Sequence, residues 1–318
     1  MLAGKNDTIQ FADAFAPWHE EALAYVQKIH PDLVIAHTPA GMALALWIQE
    51  RLGVPFGIDL EDFHCGEQSE RSRQNHLHTL LMRRGLAQAR YVTASSPPII
   101  EETRKRFGRS DFTSILNAYE PSVSPGEDPS LFSMFWVSQT LGPNRGLEDV
   151  IRACGRLEEP FSLVLQGRLL PSYQRALKGL IVSAGIQDRV TLEPWCASDD
   201  LPTVARRHHV GLALEPGSNE NSRLCISNKI LLYAASGLAI VASHTRGHEW
   251  VFRNAPGIGF LYAPGNVDEL AEGLQHWMNH RDALQAVRER ARRAAHEVLS
   301  WERQSAKFLD LIQQAVSK

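Results

Sequence analysis

Two cations stand where helix physics disfavours them. Arg145 lies in "SQTLGPNRGLEDV" (138–150) and Lys229 in "SNKILLYAASGLAIVAS" (227–243), each at the mouth of an apolar helix. The first N–H groups of a helix carry partial positive charge, so a cation there is unfavourable unless an anion shares the place. Capping by Ser227 or Asn228, or a tight turn through Gly142 and Gly146, accounts for the local sequence. A phosphate gripped by backbone N–H groups together with a guanidinium or ammonium accounts for the cations as well. Glu215 closes the apolar run "HVGLALE" and opens a long polar stretch that ends at Lys229. It can pair with Arg223 or Lys229, or face a ligand hydroxyl. In the first half, His37 and the segment "IDLEDFH" (58–64), with Asp59 and His64, gather carboxylates and imidazoles. Metal ligation and a solvated turn both suit that composition. His208-His209 precedes a strand and reads as a structural turn.

The elements that must position these residues alternate. Strands are expected at 32–37, 55–59, 90–95 and 112–117, with helices at 42–53, through about 87, and at 97–108. Residues 120–130, "EPSVSPGEDPS", read as a linker. Six further strands follow, at 135–138, 161–167, 189–193, 209–215, 238–243 and 259–262, and the chain ends in helices. Continuous apolar strands between helices predict a parallel sheet covered on both faces. Ligands of such sheets bind beyond the carboxyl ends of the strands. That rule selects Ser138, Gln139, Thr140, Gly167, Arg168, Glu193, Glu215, Ser243 and His244 in the second half, and His37, Thr38, Asp59 through His64, Ser95 and Ser96 in the first, while Gly146 and Asn228 join the candidate set at the two helix starts. The first half opens with a helix and supplies only about four strand–helix units. It is therefore expected to be a reduced or truncated domain, whose sheet edge near "DLVIAH" favours homodimers.

Composition narrows the classes. The 318 residues carry net charge -3, so no basic footprint for nucleic acid is present. No apolar run approaches the roughly 20 residues of a membrane span. The four cysteines lack metal-type spacing and read as reduced thiols, which points to the cytoplasm or the inner face of a membrane.

The second half resembles the retaining, nucleotide-sugar-dependent glycosyltransferases of GT-B architecture, specifically glycosyltransferase family 4. "FWVSQTLGPNRGLEDVIRAC", "LVLQG", "VTLEPWCASDDLPTVARRHHVGLALEP", "SNKILLYAASGLAIVAS" and "SWERQSAKFLDLI" carry the likeness, and "HPDLVIAHT", "GVPFGIDLED" and "ARYVTASSP" extend it. The resemblance implies two Rossmann-like domains: an acceptor-side domain over 1–124, with 300–318 packing back on it, and a donor domain over 125–299. It implies a nucleotide sugar as donor, an acceptor that is a glycan, a lipid-linked or a small molecule, no metal cofactor, and retention with the departing phosphate taking the proton. Lys229 and Arg145 would neutralise the diphosphate and Glu215 would meet the donor sugar. Replacing Lys229 is then expected to weaken diphosphate binding with little loss of fold. The family's paired glutamates fall on Leu224 and Leu232, and its Gly-Arg on Ser138-Gln139. These departures leave open a catalytically impaired nucleotide-sugar-binding or scaffold protein, and an epimerase or hydrolase on the same fold.

Overall fold

The computed structural model describes residues 7–69, 71–122 and 128–317, so the expected linker lies partly outside the described residues. The chain divides into two compact units. One comprises Met1–Leu116, Asn219–Cys225 and Gln304–Lys318, the other Asn117–Ser218 and Ile226–Arg303.

In the first unit, β1 (Val34–Ala36), β2 (Phe56–Leu60), β3 (Val92–Ala94) and β4 (Thr113–Ser114) form a parallel sheet in chain order. The strand expected over 112–117 shrinks to two residues, because β3, its only partner among the described residues, offers just three. The helix expected at 42–53 starts earlier, at Pro39, where Thr38 Oγ1 accepts from the Gly41 N–H. The final helix, Trp301–Val316, gives its later turns to this unit: Leu116 N–H donates to Gln304 Oε1 at 3.2 Å, and the Arg90 guanidinium donates to the Ala315 carbonyl.

The polar stretch 215–229 is not one loop of the second unit. Its middle forms the helix Glu220–Leu224, closed by a capping box between Asn219 and Ser222. This helix is built into the first unit. Leu224 is buried in that unit's core, Phe63 N–H donates to Asn221 Oδ1 at 2.6 Å, and Arg106 binds both oxygens of Glu220 at 2.5 and 2.7 Å. The apolar side chain of Leu224 is what lets this turn be buried.

The second unit holds β5 (Phe132–Leu141), β6 (Phe161–Leu169), β7 (Val190–Glu193), β8 (Val210–Ala213), β9 (Ala239–Ser243) and β10 (Gly259–Tyr262). The sheet is parallel throughout, in the order β10-β9-β8-β5-β6-β7. The chain runs outward from β5 through β6 and β7, then returns to place β8 on the other side of β5. That reversal is a topological switch point, and a crevice for ligand opens at the carboxyl ends of the two strands that flank it. Fully buried Trp136, Leu163, Leu212 and Val241 lie in the core that fixes these strand ends.

Candidate active site

The switch point brings together three of the charged residues singled out in the sequence. Glu215 follows β8, Arg145 stands in the loop after β5, and Lys229 is the second residue of the helix Asn228–Ala235. Lys229 Nζ donates to Glu215 Oε1 at 2.5 Å, and the Ser227 hydroxyl reaches the same oxygen at 3.5 Å. Ser227 therefore does not cap its helix. The two side chains of the pair keep only 12% and 18% of their exposure. Burial alone would push the Glu215 carboxyl up. Lys229, with smaller help from His248 and Arg145, more than reverses this and holds it below the ordinary range. Lys229 also lies over the Trp136 ring, 5.8 Å from its centroid.

Two helix starts contribute open N–H groups. The helix Leu147–Cys154 begins after Gly146 and the helix Asn228–Ala235 after Ser227, and neither has a side-chain cap. Arg145 is exposed beside the first, and Asn228 is exposed at the second. The sum of one carboxylate, two cations and two helix dipoles is a net positive field at the end of the sheet.

Backbone geometry holds the approach tight. Gly146 has φ 73°, and a Cβ there would meet Leu214 Cβ at 2.5 Å. Gly167 has φ 150°, and a Cβ would meet the Ser138 carbonyl oxygen at 2.1 Å. Ser138 and Gln139 sit in the irregularity of β5 between Val137 and Thr140, where the register against β6 shifts. Gly167→Ala is accordingly expected to cost about 1–3 kcal/mol and to displace this bulge. Chemical denaturation of the variant beside the wild type measures the cost.

A buried relay beneath Glu215 escaped the sequence reading. Glu215 N–H donates to Ser243 Oγ at 2.7 Å, Ser243 bonds the Tyr262 hydroxyl, and Tyr262 donates to Asp149 Oδ2 at 3.0 Å. Asp149 also accepts from Gly265 N–H at 2.8 Å. His248 closes the group: its Nδ1–H donates to the Ser243 carbonyl at 2.8 Å, and its buried Nε2 has no partner among the described residues. Burial pushes the His248 imidazole down to about 4, so it is neutral at pH 7. The only sequence signal for this relay was the position of Ser243 at a strand end.

His208 and His209 are structural, at the other end of the sheet. His208 Nδ1 meets Ser133 Oγ at 2.7 Å, while His209 accepts from Ser133 N–H and donates from Nε2 to Asp128 at 2.9 Å.

In the first unit, the structure joins His37 with Asp59 and Glu61. His37 Nδ1 lies 3.1 Å from Asp59 Oδ2 and 3.4 Å from Glu61 Oε1. These ligand-type atoms lie within 4.8 Å of one another, a set that could hold a metal ion; the histidine hydrogen bond accounts for their approach. His64 does not join them. It bonds Glu67 at 2.5 Å and turns toward a small cavity lined by Pro39, Met42, His78, Leu81 and Met82, since the turn His64–Gly66 faces the unit's core.

The fold is that of GT-B proteins, with two cations and one carboxylate gathered at the switch point of the second unit. Residues 161–310 match the glycosyl transferase-like family model. No curated protein matches the chain. Among solved structures, sucrose-phosphate synthase from Thermosynechococcus elongatus superposes with TM-score 0.80 at 15% identity, covering 96% of this chain and 79% of that one. Anabaena HepE in complex with UDP gives TM-score 0.79 at 18% identity, over 95% and 84% of the two chains. A glycosyltransferase from Rickettsia africae gives 0.74 at 13% identity, over 99% and 84%. The resemblance to GT-B glycosyltransferases is thus shown in the fold of nearly the whole chain and in the family segment over residues 161–310. No helix among the described residues is long and apolar enough to cross a membrane.

Proposed function

We propose that the protein transfers a sugar from a nucleoside diphosphate sugar to an acceptor hydroxyl, with retention of configuration, as family 4 enzymes do. The observation that carries the reading is the Glu215–Lys229 pair beside Arg145 and two uncapped helix starts at the switch point. The diphosphate gains charge as the glycosidic bond breaks. Cations and N–H groups fixed there stabilise the transition state more than the ground state. Lys229 keeps two further N–H donors for phosphate while it holds Glu215. Glu215 accepts both of its side-chain bonds on Oε1, and Oε2 receives none among the described residues. That oxygen is the acceptor for a donor-sugar hydroxyl. Charge neutralisation by Lys229 and Arg145 asks for no metal. Uridine is the base to try first, because the HepE structures hold UDP and UDP-glucose.

The test is calorimetric titration with UDP, then UDP release from UDP-glucose with and without candidate acceptors, and the anomeric form of any product. Release that requires an acceptor supports a transferase, release to water alone a hydrolase, and binding without release a scaffold. Arg145→Ala is expected to weaken UDP binding about tenfold. Arg145→Lys should lose less, since the charge remains and only the fork geometry goes. Equal losses would mark the guanidinium as structural.

A further inference from the structure

Parallel pairing builds a donor set at one end of the first unit's sheet. The register sets Ala36 of β1 beside Ile58 of β2, so the next residues, His37 and Asp59, come together where β1 ends. Glu61 lies two residues beyond Asp59, and on extended chain such residues face the same side. The three side chains converge: Asp59 Oδ2 lies 3.1 Å and Glu61 Oε1 3.4 Å from His37 Nδ1.

The hydrogen bond from His37 accounts for the approach but not for the charge. Two carboxylates share one ring nitrogen, and a neutral imidazole offers a single hydrogen there. Among the described residues no Lys or Arg pairs with Asp59 or Glu61. The neighbouring Asp62 is already engaged, since it accepts from Asn221 Nδ2 at 2.8 Å. A divalent cation supplies the charge that the two carboxylates lack.

The spacing suits such an ion. Nitrogen and oxygen ligands about 2.1 Å from one ion, in tetrahedral array, stand about 3.4 Å apart. Both separations from Nδ1 are close to that, and all three atoms lie within 4.8 Å of one another. The Glu61 side chain is half-exposed and can turn to close the set. Asp59 is the anchored member, keeping 16% of its exposure. Its other oxygen accepts from the Thr93 hydroxyl at 2.6 Å, and Thr93 is fully buried. Ligating carboxylates are oriented by hydrogen bonds of this kind.

We infer that His37, Asp59 and Glu61 bind one divalent first-row transition ion, through Nδ1 and an oxygen of each carboxylate. One imidazole among carboxylates suits Zn²⁺ or Mn²⁺ better than Mg²⁺ or Ca²⁺, which favour oxygen throughout. On binding, the ion takes the place of the Nδ1 hydrogen, and the ring carries its hydrogen on Nε2. Three protein ligands leave a coordination position open. Water or a ligand bearing hydroxyl or carboxylate oxygen fills it. All four residues belong to the first unit, and the assignment stands apart from the transfer reading.

Calorimetric titration of the full chain with Zn²⁺ tests the site, beside the double variant Asp59→Asn with Glu61→Gln. The wild type should take up one equivalent of Zn²⁺ that the double variant lacks. Thr93→Val should weaken that uptake about 10–100-fold, because it releases Asp59. Circular dichroism checks that both variants keep their fold. Imidazole nitrogen NMR of the wild type needs no variant, and should show Zn²⁺ on Nδ1 of His37 with hydrogen on Nε2. Zn²⁺ uptake that the double variant retains in full overturns the site. So does a wild type that takes up none, or a His37 ring whose nitrogen signals do not move with Zn²⁺. Mg²⁺ held as tightly as Zn²⁺ overturns the class of ion.

Discussion

Lys229→Ala is expected to lower the unfolding free energy of the second unit by about 3–5 kcal/mol, the cost of leaving one partner of a buried ion pair alone. From sequence, Lys229 looked replaceable, a side chain at a loop-facing helix start. The structure changes that expectation. Its ammonium is the main group holding the buried Glu215 carboxylate ionised, and both side chains are more than four-fifths shielded. Without it, Glu215 must either keep an unpaired charge or take up a proton. The double variant Glu215→Gln with Lys229→Met removes both charges and should recover most of the loss, because a buried pair adds little over neutral groups of similar size. Urea unfolding followed by circular dichroism reads all three variants. A loss under about 1 kcal/mol for Lys229→Ala would mean that water reaches the carboxylate freely and that the pair is held for ligand alone.

Acid should unfold the second unit well before its carboxylates titrate. Burial pushes His208, His209 and His248 down from the ordinary 6.5 to about 4. In the unfolded chain each imidazole takes a proton near pH 6.5, whereas in the folded chain it does so only near 4. The unfolded state therefore binds more protons across that window, and stability falls as pH drops through it. The stabilisation is complete above pH 6.5 and gone below 4. Each imidazole contributes on the order of 3 kcal/mol, less than additively for the adjoining pair His208 and His209. Glu215 acts lower: its folded carboxyl is held below 4.5, so it adds a loss only under that pH. Denaturation midpoints measured from pH 7.5 to 4 should fall steeply, and His248→Gln should flatten part of the fall. A midpoint that stays level to pH 4.5 would show that these rings protonate in place.

Much of the architecture was legible in the sequence for one reason: apolar runs of strand length between amphipathic stretches can be buried only in a parallel sheet under helices. All six strands of the second unit fall where that pattern puts them. Strand-end residues were legible too, because the carboxyl-end rule depends on chain direction alone. It found Glu215, and the helix-dipole argument found Arg145 and Lys229.

What the sequence could not determine is which neighbours meet. Glu215 could have paired with Arg223 or Lys229. The structure shows the bond from Lys229, at 2.5 Å. The relay from Glu215 through Ser243 and Tyr262 to Asp149 joins residues from four elements far apart in the chain, and no local pattern marks it. His37 and His64 looked alike as imidazoles beside acidic residues. Tertiary structure separated them, because β1 ends next to Asp59 and leaves His37 half in water, while the turn at His64 faces the core. Periodicity and chain direction are properties of the linear sequence, so they can be read from it. Partner choice and the degree of burial that sets a group's charge arise only when distant segments exclude water from one another.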